Sequence, residues 1–102
     1  MLFAFHLLDR HGVAELRQQL RPEHKAYLAQ VAGRIAFAGP LLGDDGSTMV
    51  GSLLVIDFPD RVSATQWQAQ EPFTRAGIYA SAAVYPFQNL WPQRAGFIPG
   101  QD

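Results

Sequence analysis

The apolar positions of this chain fall into short runs separated by turn residues, and the period within each run indicates an element. Leu2 to Leu8 is apolar except for His6 and stops at the turn-rich cluster Asp9, Arg10, His11 and Gly12, so it is expected to be a strand. Val13 to Leu20 consists mostly of helix formers. A proline inside a helix removes a backbone bond, so a second helical piece is expected to start at Pro22. In that piece His24, Leu28 and Val31 recur at i, i+4 and i+7 beside Tyr27, giving one inward face that ends at Gly33. Ile35 to Ala38 reads as a short strand closed by Gly39 and Pro40, and Gly43 to Ser47 as a hairpin turn. Met49 to Phe58 reads as a longer strand, broken by Pro59. Asp60 then caps a helix from Arg61 to about Gln70, with Ala64 and Trp67 inward and Pro72 ending it. Ile78 to Phe87 is the last strand.

The order strand, helix, strand, strand, helix, strand predicts an α+β, ferredoxin-like βαββαβ fold with a four-stranded antiparallel sheet. Residues 1–88 form the domain, and residues 89–102 a C-terminal tail without periodicity. Two helices cover only one face of such a sheet, and the other face should then alternate polar with apolar. These strands do not: Phe3, Phe5 and Leu7 point one way, Leu2, Ala4 and Leu8 the other, and Leu53 to Ile56 is apolar on both sides. Apolar surface left in water costs roughly 25 cal/mol per Å². The pattern therefore predicts a homodimer with sheets packed face to face, the tail with Trp91 and Phe97 crossing the partner. The alternative is that the tail covers its own sheet.

Composition narrows the function classes. A chain of 102 residues holds one domain, and its formal net charge of -1 lacks the basic excess that nucleic acid selects. With no cysteine there is no disulfide, thiol nucleophile or cysteine-ligated metal. Met1 to Leu8 lacks the basic start of a signal peptide, and no apolar run reaches the ~20 residues that span a bilayer. The expectation is a cytoplasmic domain that binds neither nucleic acid nor membrane.

Among residues able to carry chemistry, His24 leads. It lies on the inward face in the first turn expected after Pro22, where unsatisfied amides and the helix dipole favour a neutral imidazole. That suits a general base, and the same spacing equally suits a core histidine bonded to a carbonyl. Glu71 follows Trp67 by four and so extends the inward stripe to the end of its helix. There the dipole and desolvation disfavour its charged form, which suits proton transfer or the orienting of His24; a solvated helix-end glutamate has the same spacing. His6, on the face opposite Phe3 and Phe5, either lines a cavity between sheet and partner or packs. Tyr79 and Tyr85 are expected on one side of the last strand as packing or interface residues. The three histidines lack metal-ligand spacing, no serine sits in a nucleophile elbow, and no glycine loop pairs with Lys25.

The segments Arg21-Pro22-Glu23-His24, Gly33-Arg34 to Gly39-Pro40, Glu71-Pro72-Phe73-Thr74-Arg75-Ala76-Gly77 and Val84-Tyr85-Pro86-Phe87, in this order, resemble the YciI-like (YCII-related) family over nearly the whole chain. The resemblance implies a dimeric α+β barrel whose cavity holds a histidine and an acid. His24 matches the family histidine, and Glu71 stands where the family usually has aspartate, one methylene longer. It also implies a small-molecule ligand, no cofactor and a wider superfamily of isomerases, cofactor-free oxygenases and dehydrohalogenases. Arg21, His6 and Tyr79 are the candidate ligand-binding residues, Arg21 for an anion. The functional expectation is a cofactor-independent lyase, isomerase or dehydrohalogenase using His24 and Glu71, the alternative being a non-catalytic dimeric metabolite-binding or accessory module.

Overall fold

The structure, a computed structural model, describes residues 1–92. Strands β1 (Leu2–Asp9), β2 (Ile35–Leu42), β3 (Met49–Asp57) and β4 (Tyr79–Phe87) are joined by helices α1 (Ala14–Ala29), α2 (Arg61–Ala69) and the one-turn α3 (Pro72–Arg75). They make one antiparallel sheet in the order β2-β3-β1-β4, the ferredoxin-like arrangement. Alternation along the strands sends Phe3, Phe5, Leu7, Leu54 and Ile56 to the helix side, where they form the main core with Phe58 and Ala64. A second cluster of Val13, Phe73 and Ile78 ties the approach to α1 to α3 and to the approach to β4. The Tyr27 hydroxyl donates to the Trp67 carbonyl at 2.8 Å and so fixes α1 against the end of α2. Among the described residues, no helix is long and apolar enough to cross a membrane.

Four details depart from the sequence pattern. Helix α1 runs unbroken through Pro22 instead of restarting there. Pro22 and Gln18, whose carbonyl loses its partner, are both exposed, so water meets the carbonyl and the ring faces no packed neighbour. Strand β2 continues past Ala38 to Leu42, because at a sheet edge the N–H that Pro40 lacks is not required by the ladder. Pro72, expected only to end a helix, also starts α3 as its first residue. Finally, the register between β1 and β4 slips between Leu8, opposite Ser81, and Asp9, opposite Tyr79. This bulge turns Tyr79 toward the core, against Phe73, whereas Tyr85 stays on the far face at 63% exposure. The two tyrosines are therefore not on one side.

The expected hairpin turn forms. Gly46 takes φ 73, and the Asp45 carboxylate accepts the backbone N–H groups of Ser47 and Thr48, both at 2.9 Å. In the tail, Trp91 is 85% exposed and Phe97 lies outside the described residues.

Candidate active site

One face of α1 lies over β2 and β3 and, with them and Phe73, encloses an open cavity of about 680 Å³. The helix supplies Arg17, Arg21, His24, Lys25 and Leu28 to its lining, residues spaced three and four apart and so neighbours on one stripe. The strands supply an apolar wall that includes Pro40 and Leu54, together with Ser52.

His24 and Glu71, 47 positions apart in sequence, meet at this wall: Nδ1 of His24 is hydrogen-bonded to Oε1 of Glu71. The Glu71 side chain is 1% exposed, and its position follows from backbone chemistry. Glu71 is the N-cap of α3, and its carboxylate accepts the N–H groups of Phe73 at 3.2 Å and Thr74 at 3.1 Å. The Thr74 hydroxyl donates to Oε2 at 3.3 Å and itself accepts from Gln68 Nε2 at 2.9 Å. Glu71 thus does not close α2 at an unfavourable dipole end, as its spacing suggests; it opens the next helix, where amides point at it. His24 likewise sits mid-helix in the continuous α1, away from free amides, and is oriented by Glu71 and by Phe73. The imidazole stacks on the Phe73 ring with centroids 4.0 Å apart and planes 4° from parallel. A carboxylate only accepts, so in this pairing Nδ1 is the donor, and Nε2 is the ring nitrogen left for other partners on a side chain that lines the cavity.

Seven positions earlier on α1, Arg17 is 8% exposed. Its Nε donates to Asp9 Oδ2 at 3.0 Å, and its Nη2 to the Gly51 carbonyl and Ser52 Oγ, both at 2.8 Å. Its Nη1 reaches the Met49 sulfur, at 3.2 Å. The guanidinium also lies 4.9 Å from the centroid of the Phe73 ring, so one ring packs against both polar residues of the helix. Glycine is required at 51, because a Cβ there would stand 2.2 Å from the Leu7 carbonyl oxygen. Burial raises the Asp9 carboxyl above its usual range and outweighs the opposing pull of Arg17. Burial likewise pushes the Tyr79 phenol up, against the lowering effect of its 3.1 Å hydrogen bond with Ser52.

Of the candidates from sequence, the structure brings together His24, Glu71 and Arg21. Tyr79 stands behind the lining and contacts it through Ser52. His6 is exposed on the opposite sheet face, between Leu53 and Ala83 of the neighbouring strands, away from this cavity. Sequence reasoning missed Arg17, Ser52 and Asp9. Two signals were available: a charged residue seven before His24 on the same helical stripe, and a lone hydroxyl within the apolar run of β3.

The YCII-related domain matches residues 1–88. The chain belongs to the YCII-related family. A relative, an uncharacterised protein of Haemophilus influenzae, is 30% identical over 98 residues, which span 89% of this chain and 100% of that one. Among solved structures, the 5-chloro-2-hydroxyhydroquinone dehydrochlorinase TftG of Burkholderia phenoliruptrix AC1100, in complex with 2,5-dihydroxybenzoquinone, is similar with a TM-score of 0.80 and 30% identity, covering 86% of this chain and 94% of that one. The ferredoxin-like fold is thus shared with an enzyme of this size that holds a small cyclic ligand.

Proposed function

We propose that the cavity beside α1 is the active site of a small-molecule enzyme of lyase or isomerase type, dehydrohalogenation included, with His24 as general base and Glu71 as the group that orients it. The observation that carries this reading is a cavity-lining imidazole whose Nδ1 is held by a fully buried carboxylate. In the reaction, Nε2 of His24 takes a proton from a substrate carbon or hydroxyl. The electrons released form a double bond, expelling a leaving group such as chloride in an elimination, or pass to a carbonyl as an enolate that takes the proton back from His24 at another carbon in an isomerisation. The imidazolium so formed faces Glu71, which stabilises it without taking its proton. Every step uses side chains of this chain. Similarity to a dehydrochlorinase supports elimination within that class.

The test is a screen for chloride release from 5-chloro-2-hydroxyhydroquinone and from small halogenated hydroxy acids, combined with proton-exchange assays on carbonyl compounds. His24→Ala is expected to lower turnover of any hit by about 10²- to 10⁴-fold, the usual worth of a positioned base. Unchanged turnover in His24→Ala would overturn the proposal. Ligand binding with no turnover across the screen would assign the cavity to a metabolite-binding module instead.

The working unit in this reading is a homodimer in a dimeric α+β barrel. Its support is the outer sheet face, where Leu8, Phe37, Tyr85 and Phe87 lie 37–63% exposed beside Leu53 and Val55. Light scattering should give twice the chain mass, and Phe37→Glu should give a monomer; a wild-type monomer at high concentration contradicts it.

A further inference from the structure

We propose that the Ser52 hydroxyl is the donor that receives a carbonyl oxygen of the ligand, with Arg17 and Tyr79 as positioning residues behind it. Among the β2 and β3 residues that line the cavity, only Ser52 has an O–H or N–H in its side chain. Its oxygen is held from two sides: Arg17 Nη2 donates to Oγ at 2.8 Å, and the Tyr79 hydroxyl lies 3.1 Å away. Arg17 is itself fixed, by Asp9 at Nε and by the Gly51 carbonyl at Nη2. These partners decide what kind of hydroxyl Ser52 is. A nucleophilic serine needs a base to take its proton. A guanidinium only donates, and burial keeps the Tyr79 phenol protonated, so neither partner serves as that base. Ser52 therefore keeps its hydrogen and acts as a hydrogen-bonding group.

The hydrogens of the two hydroxyls point the same way. There are two of them, and the bond between the oxygens uses one. The other has no acceptor among the described residues, although Ser52 is only 2% exposed. Buried donors are nearly always paired. When Tyr79 donates to Oγ, the hydrogen left over belongs to Ser52, the member of the pair that lines the cavity. A carbonyl oxygen arriving there completes a chain in which Arg17 and Tyr79 donate to Oγ and Oγ donates to the ligand. The donor role stands on this count alone; the substrate class rests on the reading of His24 as the base. His24 follows Arg17 by seven on the same helical stripe, and the Phe73 ring touches both. When Nε2 takes a proton from the carbon beside the carbonyl, the C–H electrons become the C=C bond of an enolate. The carbonyl π pair then moves onto the oxygen bonded to Ser52, so charge develops where a fixed donor stands. The substrate class is a carbonyl compound with an acidic C–H next to the carbonyl.

Calorimetric titrations test it with pairs that differ only in the carbonyl: 4-hydroxyacetophenone against 4-ethylphenol, and 4-hydroxypropiophenone against 4-propylphenol. At least one ketone is expected to bind about tenfold tighter than its alkylphenol partner. Ser52→Ala should abolish that preference and leave the alkylphenol affinity unchanged, and Tyr79→Phe should weaken it in part. In the wild-type complex the infrared carbonyl band of the ketone should lie below its position in hexane, a reading that needs no variant to fold. Proton exchange of the bound ketone in deuterated water separates the two proposals. Ser52→Ala should slow it by about 10²-fold, and His24→Ala should stop it while keeping the ketone preference. A preference that depends on Ser52 in wild-type protein without exchange upholds the donor and overturns the base. Equal binding of ketone and alkylphenol, no binding of either ketone by folded protein at about 1 mM, an unshifted carbonyl band, or a preference untouched by Ser52→Ala overturns the inference.

Discussion

Helix α1 carries two buried acid–base pairs seven residues apart, and the pairs are built on opposite terms. Arg17 meets Asp9, whose buried Oδ1 has no hydrogen-bond partner among the described residues, whereas His24 meets Glu71, whose oxygens also accept two backbone N–H groups and a hydroxyl. In the first pair the base is permanently charged and the acid is short of donors. In the second the acid accepts at both oxygens and the base is an imidazole, a ring with two nitrogens of which only one meets the acid. A shared ring, Phe73, supports both. Under the proposed reading the contrast separates a strut from a proton-transfer pair: the strut fixes its cation by multiple hydrogen bonds, and the pair at His24 fixes its anion.

The largest expected effect comes from breaking the strut. Arg17→Met leaves Asp9 buried without its counter-charge and should cost about 3–5 kcal/mol in urea unfolding. Pairing it with Asp9→Asn should recover part of that loss, the signature of direct coupling; a loss equal to the sum of the single variants would dissolve the pair as a unit. Next comes the cap. Glu71→Ala removes the acceptor of one buried and one partly buried N–H group and should cost about 2 kcal/mol. Glu71→Asp should keep the cap, with stability within about 1 kcal/mol, but draw the carboxylate back from His24. Nitrogen-15 spectra of the imidazole would then show loss of the Nδ1–H form, and an unchanged spectrum would mean that the ring is held by Phe73 alone.

A smaller effect concerns pH. The Asp9 carboxyl is raised above its usual 3.8, so its contribution to stability is full below that value and is lost as pH rises through the folded value. Wild-type protein should therefore lose stability relative to Asp9→Asn as pH rises above about 3.8, and a flat difference would contradict the burial argument. Smallest is the hairpin turn. There Asp45 has the donors that Asp9 lacks, and its carboxyl is pulled down to about 2, chiefly by Thr48 and the backbone of Ser47. Its contribution is present above 3.8 and lost as pH falls through about 2, which carbon-13 titration of the carboxyl reads directly.

The topology was legible because each strand and each inward helical face repeats with its own period, and because glycine and proline mark most of the boundaries. Proline misled where its meaning depends on tertiary setting: Pro22 is tolerated on a solvent-facing side of α1, Pro40 on an edge strand, and Pro72, expected only to end one helix, begins the next. The pairing of His24 with Glu71 was visible from two inward stripes and a family motif. The role of Glu71 as a cap was not, since local spacing continues the preceding helix just as well. Arg17 and Asp9 escaped notice because charged residues are read as solvated unless a partner is known, and their partnership depends on where α1 lies over β3. The inward turn of Tyr79 depends on a single bulge, which period-two reasoning cannot foresee.

Helix α3 consists of a single turn, too short to persist without its N-terminal carboxylate. The amide proton of Phe73 ends on Oε1, the oxygen bonded to His24, and that of Thr74 on Oε2 of the same carboxylate, so their exchange with solvent deuterium follows the fate of that carboxylate. When the imidazole gains a proton or a ligand settles beside it, these two amides register the event in the backbone. They are a spectroscopic gauge of the site that works before any substrate is known.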